Sequence, residues 1–170
     1  MCALAVALLA VGCFKTAPTP PPVVAPPPAP PPPAPVTIAA PPEAKARTTM
    51  TLAATAEINP DVNNRPSPVV VRVYQLKADG AFAAADFFPL FEDAAKTLGV
   101  TLITADEFVL NPSDKKALEV SLSPETQFIG AIAAFRDIRN AQWRAVLPAP
   151  RAGGVRVAVE RARIALTATP

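Results

Sequence analysis

The sequence predicts a mainly β protein: a two-sheet β-sandwich with one inserted α-helix, preceded by a disordered, proline-rich tether. Three observations predict it. Across residues 48–170, short runs alternate apolar and polar positions, and Gly, Pro, Asn and Asp cluster between the runs. One stretch, residues 86–99, spaces its apolar residues as a helix does. Most of the 23 prolines fall between Pro18 and Pro42, and each one removes a backbone donor and fixes φ, so neither helix nor ladder is expected there. About 125 residues remain, enough for a single core.

Residues 1–12, MCALAVALLAVG, form a short apolar run. A bilayer-spanning helix needs about 20 residues, so this run reads instead as the apolar region of a signal peptide. Ala10-Val11-Gly12-Cys13 resembles the lipobox of bacterial lipoproteins, with Leu9 one place earlier than the usual leucine. In such proteins cleavage falls before the cysteine, which carries a diacylglycerol, so Cys13 is the expected lipidation site. Phe14 follows it rather than Asp. By resemblance to lipoprotein sorting in diderm bacteria, that permits transfer to the outer membrane. One acyl chain anchors weakly, whereas the several chains of a mature lipoprotein anchor stably.

Residues 13–47 make up the lipidated cysteine and the tether, dominated by Pro, Ala and Val. Over Lys15 to Pro42 such a composition favours polyproline II, which would extend on the order of 80 Å at about 3.1 Å per residue.

The domain is expected over residues 48–170. The first strand is read as 48–58, with Met50, Leu52, Ala54, Ala56 and Ile58 on one face and Thr49, Thr51, Thr55 and Glu57 on the other. Residues 59–68 are crowded with turn formers and read as a loop. Residues 69–76, VVVRVYQL, are apolar on both faces, as in a central strand. The helix would be capped by Asp86, tolerate Pro89 in its first turn and end at Gly99. Its stripe is Phe87, Phe91, Ala95 and Leu98, with Phe88 beside it; the role expected of it is core packing. Residues 100–110 fit either strand or turn. Residues 115–122 alternate, with Leu118, Val120 and Leu122 inward. Residues 127–135, 143–147, 155–160 and 163–169 read as the remaining strands. The crossover helices that a wholly parallel sheet needs are missing.

Chemistry is excluded more easily than found. The sequence has no histidine, and its two cysteines are Cys2 and Cys13. A Ser-His-Asp or Cys-His site is therefore ruled out, and the domain has no thiolate ligand. Asp106 and Glu107 are adjacent, so on a strand they face opposite sides. Glu92 and Asp93 read as a solvated helix face, and Gly153-Gly154 as a turn. The net charge of +2 is spread without a basic stripe, which does not suit nucleic-acid binding. No enzyme activity, cofactor, metal or small-molecule substrate is expected. A stand-alone ligand- or carbohydrate-binding lipoprotein is the alternative reading. Trp143 and Tyr74 lie in strand patterns that point them inward, which disfavours such a platform.

One block is more specific. Ile58-Asn59-Pro60-Asp61, followed by Arg65-Pro66-Ser67-Pro68-Val69-Val70-Val71-Arg72-Val73-Tyr74-Gln75-Leu76, resembles the hallmark of the type VI secretion system lipoprotein family TssJ. Ala85-Asp86-Phe87-Phe88, Leu98-Gly99, Ala133-Ala134-Phe135-Arg136-Asp137 and Trp143-Arg144 fit the same family. The resemblance implies a transthyretin-like sandwich with an added helix. It also implies an outer-membrane anchor facing the periplasm. The partner it implies is the periplasmic C-terminal region of TssM, bound during assembly of the envelope-spanning complex. The family's contact loop joins the first two strands. Carried over, it is Asn59, Pro60, Asp61, Val62, Asn63, Asn64 and Arg65. Asn64 stands where the family pattern suggests glycine, and Asn also accepts positive φ. For Arg136 and Asp137, bracing of a strand end is favoured over direct partner contact.

Overall fold

The structure is a computed structural model that describes residues 46–170. The signal peptide, Cys13 and the tether lie outside the described residues. Among the described residues, eight strands form two four-stranded sheets. They are β1 (Ala46–Ala54), β2 (Val69–Leu76), β3 (Leu102–Leu110), β4 (Lys115–Leu122), β5 (Phe128–Ala133), β6 (Arg144–Pro148), β7 (Gly154–Glu160) and β8 (Arg163–Thr169). One sheet runs β4-β1-β7-β8 and the other β3-β2-β5-β6. Every pair is antiparallel except β1 with β7, where Thr49 lies opposite Gly154. The main core fills the space between the sheets, with Met50, Leu52, Val71, Val73, Ile129, Ala131, Val157 and Val159 at its centre.

The strand expected over 48–58 ends early, at Ala54. There the Ala54 N–H turns to Asp114 O at 2.8 Å and the Thr55 N–H to Val159 O at 2.9 Å. The chain then rolls over, leaving Ala56 exposed while Ile58 is fully buried. Ile58 thus reaches the core from a turn rather than from a strand. By contrast β2 spans the expected residues and is interior to its sheet.

The single helix expected over residues 86–99 is instead two short ones, α2 (Phe87–Glu92) and α3 (Ala94–Leu98), and a further short helix that was not expected, α1 (Gly80–Ala84), precedes them. Asp86 sits at the start of α2 in an extended conformation, but its carboxylate makes no capping bond. The break comes at Asp93, whose φ is −145° and whose carboxylate accepts the Lys96 N–H at 3.0 Å. A short acidic side chain competes here for backbone donors and starts a new helix. The buried stripe shifts accordingly. Leu90, Ala94 and Leu98 are buried, Phe87 and Phe91 are half-buried, and Ala95 faces solvent. Phe82 of α1, which periodicity did not mark, is fully buried against Tyr74. Together these side chains cover Tyr74, Leu76 and Ile132 on the outer face of the second sheet, making a second core. Arg72 pins the cover: it pairs with Glu107 at 2.6 Å, lies over the Phe91 ring at 4.3 Å and donates to Phe91 O.

Residues 100–110 divide into a 3-10 turn (Gly99–Thr101) and the edge strand β3. Trp143, expected as a strand residue, precedes β6 and is half-buried between the two cores. Gln75 reaches across the sandwich from β2. Its amide donates to Ser121 O and accepts from the Ser123 N–H and the Thr126 hydroxyl.

The loop between β1 and β2

Residues 59–65 gather at one end of the sandwich, beside the residues that follow β5 and the turn between β7 and β8. Asn59 has φ +46° and is 4 % exposed. Its Nδ2 donates to Pro68 O at 2.7 Å, and its Oδ1 accepts the Arg136 N–H at 2.8 Å. Its own N–H donates to Arg161 O at 3.0 Å. Asn59 is therefore framework, holding the loop to both sheets. Asn tolerates this left-handed conformation better than most residues do.

Asp61 organises the tip. Its Oδ1 accepts the N–H groups of Asn63 and Arg65, and its Oδ2 accepts the Arg65 guanidinium at 2.7 and 2.8 Å. The Asp61 N–H donates to Arg65 O, and the Asn64 N–H donates to Asp61 O. The Arg65 N–H bond, then the Arg65 side chain, hold the Asp61 carboxyl below its ordinary pKa; the Arg136 charge adds a smaller push. Asn64 has φ +61°, and its Oδ1 accepts the Arg161 guanidinium at 2.6 Å.

With Asp61 and Arg65 occupied by each other, the loop offers Val62 outward, 96 % exposed, flanked by exposed Asn63. Behind Val62 lies an open cleft of about 640 Å³, lined also by Phe135, Arg136, Asp137, Arg161 and Ala162. Arg136 is exposed, and its guanidinium makes no hydrogen bond or ion pair among the described residues. It braces the loop through its backbone N–H alone. Asp137 accepts Asn140 Nδ2 at 2.9 and 3.1 Å, holding the turn after β5. Arg161 and Ala162 were not singled out from sequence. They lie about a hundred residues further along the chain, and only the β1–β7 pairing brings them here. Among the described residues, no group of three or more His, Cys, Asp or Glu is placed to hold a metal ion.

A family model described as type VI secretion lipoprotein, VasD, EvfM, TssJ, VC_A0113 matches residues 46–168. The chain belongs to this TssJ family. Among solved structures, the T6SS lipoprotein TssJ1 from Pseudomonas aeruginosa is 34% identical, with a TM-score of 0.70 over 74% of this chain and 98% of that one. Serratia marcescens Lip, a membrane-bound component of the type VI secretion system, is 25% identical, with a TM-score of 0.66 over 74% and 99%. A chain in a structure described as the T6SS protein TssM C-terminal domain (869-1107) from EAEC is 26% identical, with a TM-score of 0.60 over 72% and 98%. No curated protein sequence matches the chain. The TssJ family is one of structural secretion-system lipoproteins, and the two-sheet architecture described above is the one its solved members share.

Proposed function

We propose that this TssJ-family chain is anchored in the outer membrane by lipid on Cys13 and binds the periplasmic C-terminal region of TssM through residues 59–65. In this reading it helps assemble the envelope-spanning secretion complex. The observation that carries the binding assignment is the pre-ordered loop tip. Asp61 closes it around its own backbone, so Val62 is presented with little freedom left to lose on binding. Pre-organisation of that kind lowers the entropic cost of association. The likeness to a chain in a TssM domain structure favours the same partner.

The loop divides into scaffold and contact. Asn59, Asp61 and the Arg65 head group build it. Val62 and Asn63 face outward, and the neighbouring Arg136 guanidinium offers a charge to an acidic group on the partner. Isothermal titration calorimetry with the TssM periplasmic C-terminal region tests this. Val62→Asp is expected to weaken binding at least tenfold with an unchanged melting temperature. Replacing Asp61 and Arg65 together is expected to weaken it through loss of loop order. Wild-type affinity in both variants would remove the loop from the interface. Mass spectrometry of the mature N-terminus tests the anchor: an unmodified Cys13 in the membrane fraction would rule it out.

A further inference from the structure

We infer that the cleft behind Val62 is a carboxylate-binding site, in which Arg136 and Arg161 take an Asp or Glu side chain of the partner while Val62 enters the partner. The inference rests on the reading above and deepens it by naming the chemical group that the partner supplies.

Three separate segments build the cleft: the β1–β2 loop, the residues after β5 and the turn between β7 and β8. One buried residue fixes both arginines in it. The Asn59 side chain accepts the Arg136 N–H at 2.8 Å, and the Asn59 N–H donates to Arg161 O at 3.0 Å. Both arginine backbones are thus anchored to the same point, while both residues remain exposed.

The acceptors of the cleft are taken and its donors are free. Asp61 Oδ1 accepts two backbone N–H groups, and its Oδ2 is held by the Arg65 guanidinium. Both Asp137 oxygens accept Asn140 Nδ2. Arg161, in contrast, gives one N–H to the neutral Asn64 Oδ1 at 2.6 Å, and the Arg136 guanidinium has no hydrogen bond or ion pair among the described residues. A guanidinium carries several N–H donors in a planar fork, so most of the donors here lack an acceptor. Two cations held on one cleft also repel each other, and an anion placed there removes the repulsion. With the cleft's own carboxylates committed, that anion comes from outside the domain.

The walls select the kind of anion. Phe135, 6 % exposed, and Ala162 give the cleft an apolar side. This favours a carboxylate on a short methylene stem over a free inorganic ion, and the fork geometry of arginine matches a carboxylate in two parallel bonds. The volume of about 640 Å³ admits such a side chain without any movement of the loop. Val62 and the cleft then act in opposite directions. One projects out of the domain and the other receives, and two such contacts fix the orientation of a complex where a single projecting loop does not.

Surface plasmon resonance tests the inference, with the full chain carrying Cys2→Ser and Cys13→Ser and the TssM periplasmic C-terminal region as the probe. Arg136→Gln removes the charge but keeps the backbone N–H that Asn59 holds, so its melting temperature is expected to be unchanged. A charge that only steers encounter acts on the association rate and fades with salt, whereas a desolvated pair acts on dissociation. Arg136→Gln is expected to weaken binding at least about tenfold, mainly through faster dissociation, with the difference persisting at high salt. Arg136→Lys, which keeps the charge without the fork, is expected to recover part of the loss. Replacing the partner's Asp and Glu residues one at a time should find one whose loss costs nothing further in the Arg136→Gln background. Wild-type dissociation in Arg136→Gln, a loss confined to association that vanishes at high salt, or the lack of any such acidic position overturns the inference. The calorimetry of Val62→Asp decides the loop reading separately: weakened binding there with wild-type dissociation in Arg136→Gln leaves that reading standing and removes the carboxylate site.

Discussion

Asn59 Oδ1 accepts the Arg136 backbone N–H at 2.8 Å while Asn59 Nδ2 donates to Pro68 O, so one buried amide joins the β1–β2 loop to the end of β5. Replacing it leaves a donor and an acceptor unpaired, a cost of about 1–3 kcal/mol. Asn59→Ala also strains the left-handed backbone, adding roughly 1 kcal/mol, whereas Asn59→Gly does not. Urea denaturation is expected to rank wild type above Asn59→Gly and Asn59→Gly above Asn59→Ala. Equal midpoints for the two variants would show that backbone conformation contributes nothing here.

Asp61 sets the acid limit of the loop. Its folded pKa lies below the ordinary 3.8, first through the Arg65 N–H bond and then through the Arg65 side chain. A depressed acid stabilises the fold above its unfolded pKa, and that contribution is lost as pH falls through the folded value. Loop order is thus expected to be constant from neutral pH down to the unfolded pKa and to loosen only below it. Carboxyl chemical shifts followed with pH should place the Asp61 midpoint under 3.8. A midpoint at or above that value contradicts the closed tip.

Tyr74 is the single tyrosine in the chain, so its ionisation can be read directly by absorbance. Its hydroxyl donates to Leu90 O at 3.1 Å, and burial pushes its pKa up to about 12. Here the raised value belongs to an acid that is neutral when folded. Ionisation therefore favours the unfolded chain, and stability falls as pH rises through the unfolded pKa of 10.0. Tyrosinate absorbance is expected to appear near 12, or together with alkaline unfolding if that comes first. Free titration at 10 with the fold intact would mean that α1 and α2 do not cover the sheet.

Gly154→Ala would push a methyl group against Thr49 O and the Thr169 hydroxyl at the entry end of β1. The obstacle includes backbone of an interior strand, which moves only if the β1–β7 pairing moves with it. Overpacking of this kind costs about 1–3 kcal/mol. A lower urea midpoint checks it, with faster exchange of the amides in the β1–β7 ladder. An unchanged midpoint would show that the ladder relaxes freely there.

Much of this protein was legible from local pattern. The apolar character of VVVRVYQL on both faces and the alternation in residues 115–122 are properties of each segment alone, and both strands appear where these placed them. The turn formers of 59–68 likewise marked the loop without any knowledge of its surroundings, and the block around Asn59, Arg65 and Pro66 pointed to the family. What the sequence could not decide depended on partners far along the chain. The end of β1 is set by Asp114 and Val159, and the cover over Tyr74 by the Asp93 break and Phe82. The loop's form depends on Arg136 and Arg161, and the second of these lies 97 residues from the Asn64 that it bonds. Periodicity reports which face of a segment is buried. It carries no information about which distant donor will meet a given carbonyl, and here those long-range hydrogen bonds decided where the strands stop and how the β1–β2 loop is held.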